Sequence, residues 1–349
     1  MKTPSAGEIF TISDARSFEQ MALEIFYFQA AGCSVYREYL SLLGTDPDKI
    51  DSILTIPFMP ISFFRDHTVL SEASPDYAMT EPSSGRRSGH DGPAGRIFLS
   101  SGTSGARQSS HHVKELSIYD RSLDQTFRIF YGDPFRYAIM GLLPSYLERE
   151  GSSLIYMVDR LIKLSGNEAG GFFLNDFDAL FRAIDRARSA GLQVLLFGVT
   201  FALLDLAEQY PRDLSDLIIM ETGGMKGRRR EMIREEVHGI IMKAFGVKSV
   251  HSEYGMTEML SQAYSQGNGL FQSPPWMKVL IRDSHDPSAH TSEAGASGGI
   301  SIIDLANLWS CSFIATSDLG RMHPGGLFEV QGRFDEADIR GCNLLVSQG

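Results

Sequence analysis

The run Leu99-Ser100-Ser101-Gly102-Thr103-Ser104-Gly105 sets hydroxyl residues and glycines directly after the apolar stretch Ile97-Phe98-Leu99 and ahead of a polar segment with helical character. After a strand, such a run lets backbone N–H groups converge on one concavity, which suits phosphate oxygens. A flexible surface loop has the same composition. His111, His112 and Lys114 follow, either as contacts to phosphate or carboxylate or as decoration of a helix start. Three later stretches also combine glycine with polar or charged residues. They are Glu221-Thr222-Gly223-Gly224-Met225-Lys226-Gly227, Tyr254-Gly255-Met256-Thr257-Glu258, and Thr316-Ser317-Asp318-Leu319-Gly320-Arg321 followed by Gly332-Arg333-Phe334-Asp335.

The elements that must position these residues alternate between strand and helix. Residues 17–43 read as one helix, with Phe18, Met21, Leu23, Ile25, Phe26 and Phe28 interleaved with Glu19, Glu24 and Gln29. Pro57 and Pro60 exclude a regular helix around Ile56–Phe64, which reads as an extended apolar segment on the core. Residues 71–96 have the composition of an exposed connection. Residues 137–143, 194–198 and 217–220 read as buried strands. Residues 176–188 and 201–210 read as helices, with Gly191 and Pro211 beyond their ends. Arg228–Phe245 reads as an amphipathic helix with Met232, Ile233, Val237, Ile240, Ile241 and Ala244 on its apolar face. From Leu280 onward the chain is Gly-rich and short-stranded, with strands expected at 298–304, 326–330 and 344–346. This alternation predicts an α/β fold with largely parallel pairing.

Bulk composition narrows the classes. The 349 residues suffice for a large core, and 43% apolar with 21% charged residues is ordinary for a globular protein. A net charge of −11 argues against a nucleic-acid partner and against an anionic membrane surface. No apolar run approaches the roughly 20 residues of a spanning helix, so no membrane insertion is expected. The first ten residues lack the pattern of a secretory signal. Cys33, Cys311 and Cys342 form neither a disulfide framework nor a zinc spacing, which makes a reduced, cytoplasmic setting the default.

Taken in order, the Ser/Gly/Thr loop, Tyr-Gly-x-Thr-Glu, x-Ser-Asp-Leu-Gly-Arg and Gly-Arg-x-Asp resemble the adenylate-forming superfamily across residues 97–341. That superfamily comprises acyl-CoA synthetases, peptide-synthetase adenylation domains and luciferases. Ile56–Phe64, Leu143-Pro144-Ser145-Tyr146-Leu147-Glu148-Arg149 and Arg340-Gly341-Cys342-Asn343 narrow the resemblance to the acyl-protein synthetase branch. This branch is the fatty-acid-activating component of bacterial luminescence and its relatives. The resemblance implies mixed and parallel sheets flanked by helices, plus a smaller β-rich subdomain. The expected division is an N-terminal segment 1–96, an α/β nucleotide-binding core 97–278, a β-rich part 279–332 and a tail 333–349.

The implied chemistry is attack of a carboxylate, from a fatty acid or another carboxylic acid, on the α-phosphorus of ATP. Positioning and charge neutralisation supply most of the catalysis. By the same resemblance, Ser100, Ser101, Gly102, Thr103, Ser104 and Gly105 would wrap the departing phosphates. Gly223 and Gly224 would let backbone lie against the adenine face. Tyr254 would stack on adenine, with Gly255 and Met256 in the same binding stretch. Thr257 would bond the α-phosphate, and Glu258 would hold Mg²⁺, a hard cation suited to carboxylate oxygen. Asp318 would accept from both ribose hydroxyls with Arg333 nearby. Taken singly, Tyr254 also suits a core aromatic, Asp318 a turn and Arg333 a solvated surface.

The sequence departs from the superfamily pattern in two places. The loop continues as Ala106-Arg107-Gln108 where most relatives have a Pro-Lys pair, leaving Arg107 or backbone donors to meet the phosphates. No lysine occurs after Lys278, so the large C-terminal lid is expected to be absent or vestigial. Lys226 is the expected substitute cation, or else a surface lysine beside Arg228, Arg229 and Arg230. Cys342 matches the near-terminal cysteine of the acyl-protein synthetases, which accepts the acyl group as a thioester before passing it to an acyltransferase or reductase. Its other reading is a small residue packed in a last strand. Two alternatives stand beside the AMP-forming acid–thiol ligase: a ligase delivering the acyl group to CoA, an amine or a sugar, and a catalytically degenerate nucleotide-binding subunit.

Overall fold

A computed structural model of the chain describes residues 3–72, 95–100, 107–144, 151–223, 232–283 and 285–334. Among these, the N-terminal segment is helical. Ala15–Gly32 starts on a capping box in which the Asp14 side chain accepts from Ser17 N at 2.8 Å. The single helix expected over 17–43 is two helices. Cys33 is extended (φ −95°, ψ 107°) and bridges Ser71, and a second helix runs from Ser34 to Leu42. At the break Glu72 N donates to the Gly32 carbonyl oxygen, and the two segments pass so close that a Cβ on residue 32 would lie 2.8 Å from the Glu72 carbonyl oxygen.

The strands follow in chain order. β1 (Met59–Pro60) is the extended part of the proline-flanked segment, and a single helical turn, Phe63–Asp66, follows it. β2 (Arg96–Leu99) and β3 (Ser110–Val113) pair antiparallel, with Leu99 opposite Ser110. The expected strand-to-helix passage after the Ser/Gly run is therefore a strand-to-strand one. Ser110-His111-His112-Val113 alternates in burial, and the helix Leu116–Tyr131 starts only beyond it.

β4 (Tyr137–Leu142), β5 (Gly171–Phe172), β6 (Gln193–Val199), β7 (Ile218–Thr222), β8 (His251–Tyr254) and β9 (Ala263–Ser265) form one sheet in the order β5-β4-β6-β7-β8-β9. All its pairings are parallel except β8–β9. Helices Ser153–Ser165, Phe177–Ser189, Thr200–Gln209 and Arg234–Phe245 connect its strands. The last of these begins later than its apolar pattern suggests. Ile233 is an extended cap residue and 63% exposed, and the buried face is Val237, His238, Ile241 and Phe245.

β10 (Leu270–Phe271), β11 (Met277–Arg282), β12 (His290–Thr291), β13 (Ser297–Asp304), β14 (Phe313–Met322) and β15 (Phe328–Arg333) form a second sheet, antiparallel in the order β10-β15-β14-β13-β11-β12. β1 adds to it in parallel along β14. The strand expected at 326–330 runs three residues further, through Gly332 and Arg333. The strand expected at 344–346 lies outside the described residues. The chain is thus a mixed α/β protein, with a parallel sheet flanked by helices and a separate β-rich sheet.

Candidate active site

Ligands of parallel α/β sheets gather beyond the carboxyl ends of the strands. Here that edge is polar. Thr200, just after β6, donates through Oγ1 to Glu221 Oε1 at the end of β7 and lies 3.3 Å from the Gly223 carbonyl oxygen. Thr222 donates through Oγ1 to Glu253 Oε2 at the end of β8. Burial pushes the Glu253 carboxyl up to about 7, the Thr222 hydroxyl opposes this and the nearby Glu221 charge adds to it. A left-handed backbone and a close approach explain the glycines at this edge. Gly223 sits at φ +76°, and a Cβ on Gly255 would fall 2.5 Å from Glu253 Oε1.

Tyr254 ends β8 with its ring edge-on to Phe271 and Phe328, at 5.8 and 5.6 Å. Its hydroxyl donates to Asp318 Oδ2 at 2.8 Å. Burial, and then the Asp318 charge, push its pKa well above the usual phenol range. Asp318 lies on β14 directly opposite Arg333 on β15, with Arg333 Nε 3.2 Å from Asp318 Oδ1. The carboxylate is nearly buried while the guanidinium is mostly exposed, so the pair adds little stability and leaves the arginine free to meet a ligand.

The loop after Tyr254 is held from three sides. His111 on β3 lies 2.9 Å through Nδ1 from the Thr257 carbonyl oxygen. Asn307 donates to the Glu258 carbonyl oxygen at 2.8 Å. Asp304 accepts through Oδ2 from Leu260 N (2.8 Å) and Ser261 N (2.9 Å), and through Oδ1 from Ser261 Oγ (2.6 Å). The 305–312 turn is itself pinned by Gln29, which donates to the Asn307 and Leu308 carbonyl oxygens and accepts from Ser312 N. Burial raises the pKa of Glu258, and the Ser109 side chain opposes the shift. Ser109 N in turn donates to Ser100 Oγ at 2.9 Å, closing the base of the Ser/Gly run.

The structure therefore gathers Ser100, Tyr254, Gly255, Met256, Thr257, Glu258, Asp318 and Arg333 around one region, with Gly223 on the adjoining strand end. Ser101, Gly102, Thr103, Ser104, Gly105, Gly224, Lys226 and Cys342 lie outside the described residues. Sequence reasoning did not single out Thr200, Glu253, Asp304, Asn307 or Gln29. Two of these leave a faint signal: Gln29 is polar within an apolar helix face, and Asp304 closes a run of buried aliphatics. Among the described residues no cluster of three or more His, Cys, Asp or Glu could hold a metal alone. The donor set fits a hard cation shared with phosphate, for which one carboxylate such as Glu258 suffices.

No protein-family model matches the chain, and no curated protein sequence matches it. Among solved structures, the luciferase-like enzyme from the nonluminescent mealworm Zophobas morio is 15% identical over 74% of this chain and 62% of that one, with a TM-score of 0.49. Coronafacic acid ligase from Pectobacterium brasiliense is 15% identical over 62% of this chain and 43% of that one, with a TM-score of 0.44. O-succinylbenzoate coenzyme A synthetase from Bacillus subtilis, in complex with ATP and a magnesium ion, is 14% identical over 68% and 49% of the two chains, with a TM-score of 0.46. This chain thus spans 43–62% of the length of these structures.

Proposed function

We propose that the chain activates a carboxylic acid with ATP. The acid's carboxylate oxygen bonds to the α-phosphorus, the bond to the bridging oxygen breaks, and pyrophosphate leaves. The observation that carries this reading is the meeting of Tyr254, Asp318 and Arg333 with the Thr257–Glu258 loop and the Ser100–Ser109 junction. Asp318 and Arg333 together offer acceptors and a donor to ribose, and Tyr254, backed by the buried rings of Phe271 and Phe328, is the proposed partner of the base. Thr257 and the Ser100–Gly105 run meet the phosphates. Glu258 would hold magnesium, which when bound would supply charge neutralisation.

In the same reading the substrate is a fatty acid and Cys342 is the acyl carrier. Its thiolate attacks the acyl carbon of the adenylate, a thioester forms, AMP leaves, and a partner acyltransferase or reductase takes the acyl group. Burial of the other two cysteines supports this choice: Cys33 and Cys311 are both 0% exposed, and burial pushes both thiols up. Lys226 is proposed as the cation that assists adenylation, and the cytoplasm as the setting.

The test is pyrophosphate release across a panel of aliphatic and aromatic acids, followed by mass spectrometry of the protein after incubation with ATP and the best acid. An acyl adduct at Cys342, lost in Cys342→Ser, is expected. Turnover with CoA or an amine and no protein adduct assigns a soluble acceptor instead. Pyrophosphate release with no acid at all sinks the whole reading.

A further inference from the structure

We propose that His111 is a positioning residue, which holds the Thr257–Glu258 loop in register with the strand that leaves the Ser/Gly run. The proposal rests on the adenylation reading for its catalytic consequence, but not for its geometry.

His111 is 0% exposed, and both ring nitrogens are engaged. Nδ1 lies 2.9 Å from the Thr257 carbonyl oxygen and Nε2 lies 2.9 Å from Ser310 Oγ. A carbonyl only accepts, so Nδ1 carries the proton; in the neutral ring Nε2 then accepts from the Ser310 hydroxyl. Ser310 is anchored in its turn, its carbonyl accepting from Ser71 Oγ at 2.7 Å. The ring packs edge-on to Phe64 at 5.4 Å, which fixes its plane. The imidazole is therefore a rigid spacer between two backbone segments.

Its place on the strand matters as much as its bonds. Ser109 immediately precedes β3. Ser109 reaches the Glu258 carboxyl, and His111 reaches the carbonyl of the preceding residue, Thr257. One short stretch thus grips two consecutive residues of the loop, while the neighbouring pair Leu99–Ser110 fixes the entry to the Ser/Gly run. β3 and the Thr257–Glu258 loop cannot shift independently while His111 is in place.

The test uses three variants of the full chain. His111→Asn places an amide N–H near Nδ1, His111→Gln places one near Nε2, and His111→Phe fills the volume with neither. Hydrogen exchange at amides 257–261 reads the positioning without turnover. We expect about tenfold faster exchange there in His111→Gln and His111→Phe, and near wild-type protection in His111→Asn. In pyrophosphate exchange, His111→Gln and His111→Phe raise KM for ATP about tenfold with KM for the acid unchanged, and His111→Asn leaves it near wild type. Wild-type protection of 257–261 in a folded His111→Phe, or equal loss in Asn and Gln, overturns the proposal. Altered protection in a chain that activates no acid keeps the positioning role and refutes the adenylation reading instead.

Discussion

The Tyr254 hydroxyl donates to Asp318 Oδ2 across 64 residues of sequence, joining the last residue of a parallel strand to the middle of an antiparallel one. On its other oxygen the same carboxylate faces Arg333. A nearly buried acid is thus held between a buried phenol and an exposed cation, with its orientation set before any ligand arrives.

Tyr254→Phe removes only the donor and leaves Asp318 nearly buried with one partner fewer. Loss of a hydrogen bond to a charged acceptor predicts about 2 kcal/mol of destabilisation. Thermal or urea unfolding measures it. ATP affinity should fall in the same variant, and titration of nucleotide binding checks that separately.

Asp304→Asn exchanges one acceptor oxygen for a donor facing Ser261 Oγ or the backbone amides of 260 and 261. About 3 kcal/mol of destabilisation is expected, since the carboxylate is fully buried and its donors lose their acceptor. Retention of the wild-type unfolding midpoint would falsify the claim that this aspartate anchors the loop after Glu258.

Burial lowers the His111 pKa to about 4 from its ordinary 6.5. The unfolded chain therefore binds more protons between these values, and the contribution is present above pH 6.5 and lost as pH falls toward 4. The span corresponds to about 3 kcal/mol. Urea midpoints at pH 7.5 and 4.5 should converge on a smaller difference in His111→Asn than in wild type.

Glu253 behaves in the opposite sense. Its folded pKa is raised to about 7, so the folded state holds the extra proton and this contribution is lost as pH rises from 4.5 through 7. Glu253→Gln keeps an acceptor for Thr222 and removes the titration. Relative to wild type, the variant should gain on the order of 2 kcal/mol between pH 5 and pH 8. A pH-independent difference between the two proteins would show that Glu253 titrates normally.

Periodicity and punctuation are enough to find β4, β6, β7 and the helices at 177–189 and 200–209: the strands are continuous apolar runs buried on both faces, and the helices are bounded by a capping aspartate, a glycine or a proline. The same reasoning ran the first helix through Cys33, since the apolar pattern continues there. The chain instead turns extended at Cys33, where it pairs with Ser71 and Glu72 N donates to the Gly32 carbonyl oxygen, a long-range pairing that no local pattern encodes. The same reasoning also passed from the Ser/Gly run straight to a helix, because Ser-His-His-Val has no strong strand signal until it is paired with Arg96–Leu99.

For the candidate site, the sequence by itself determined which residue types were available and in what order: the hydroxyl and glycine run, Tyr254 to Glu258, Asp318 and Arg333. Those identities come from side-chain chemistry, which is local. Tertiary structure decided how they meet. The antiparallel register sets Asp318 opposite Arg333, the ends of two sheets bring Tyr254 to the same carboxylate, and a buried imidazole joins β3 to Thr257. These are long-range pairings fixed by sheet register and by the need to satisfy buried polar groups, and neither constraint can be read from residues adjacent in the chain.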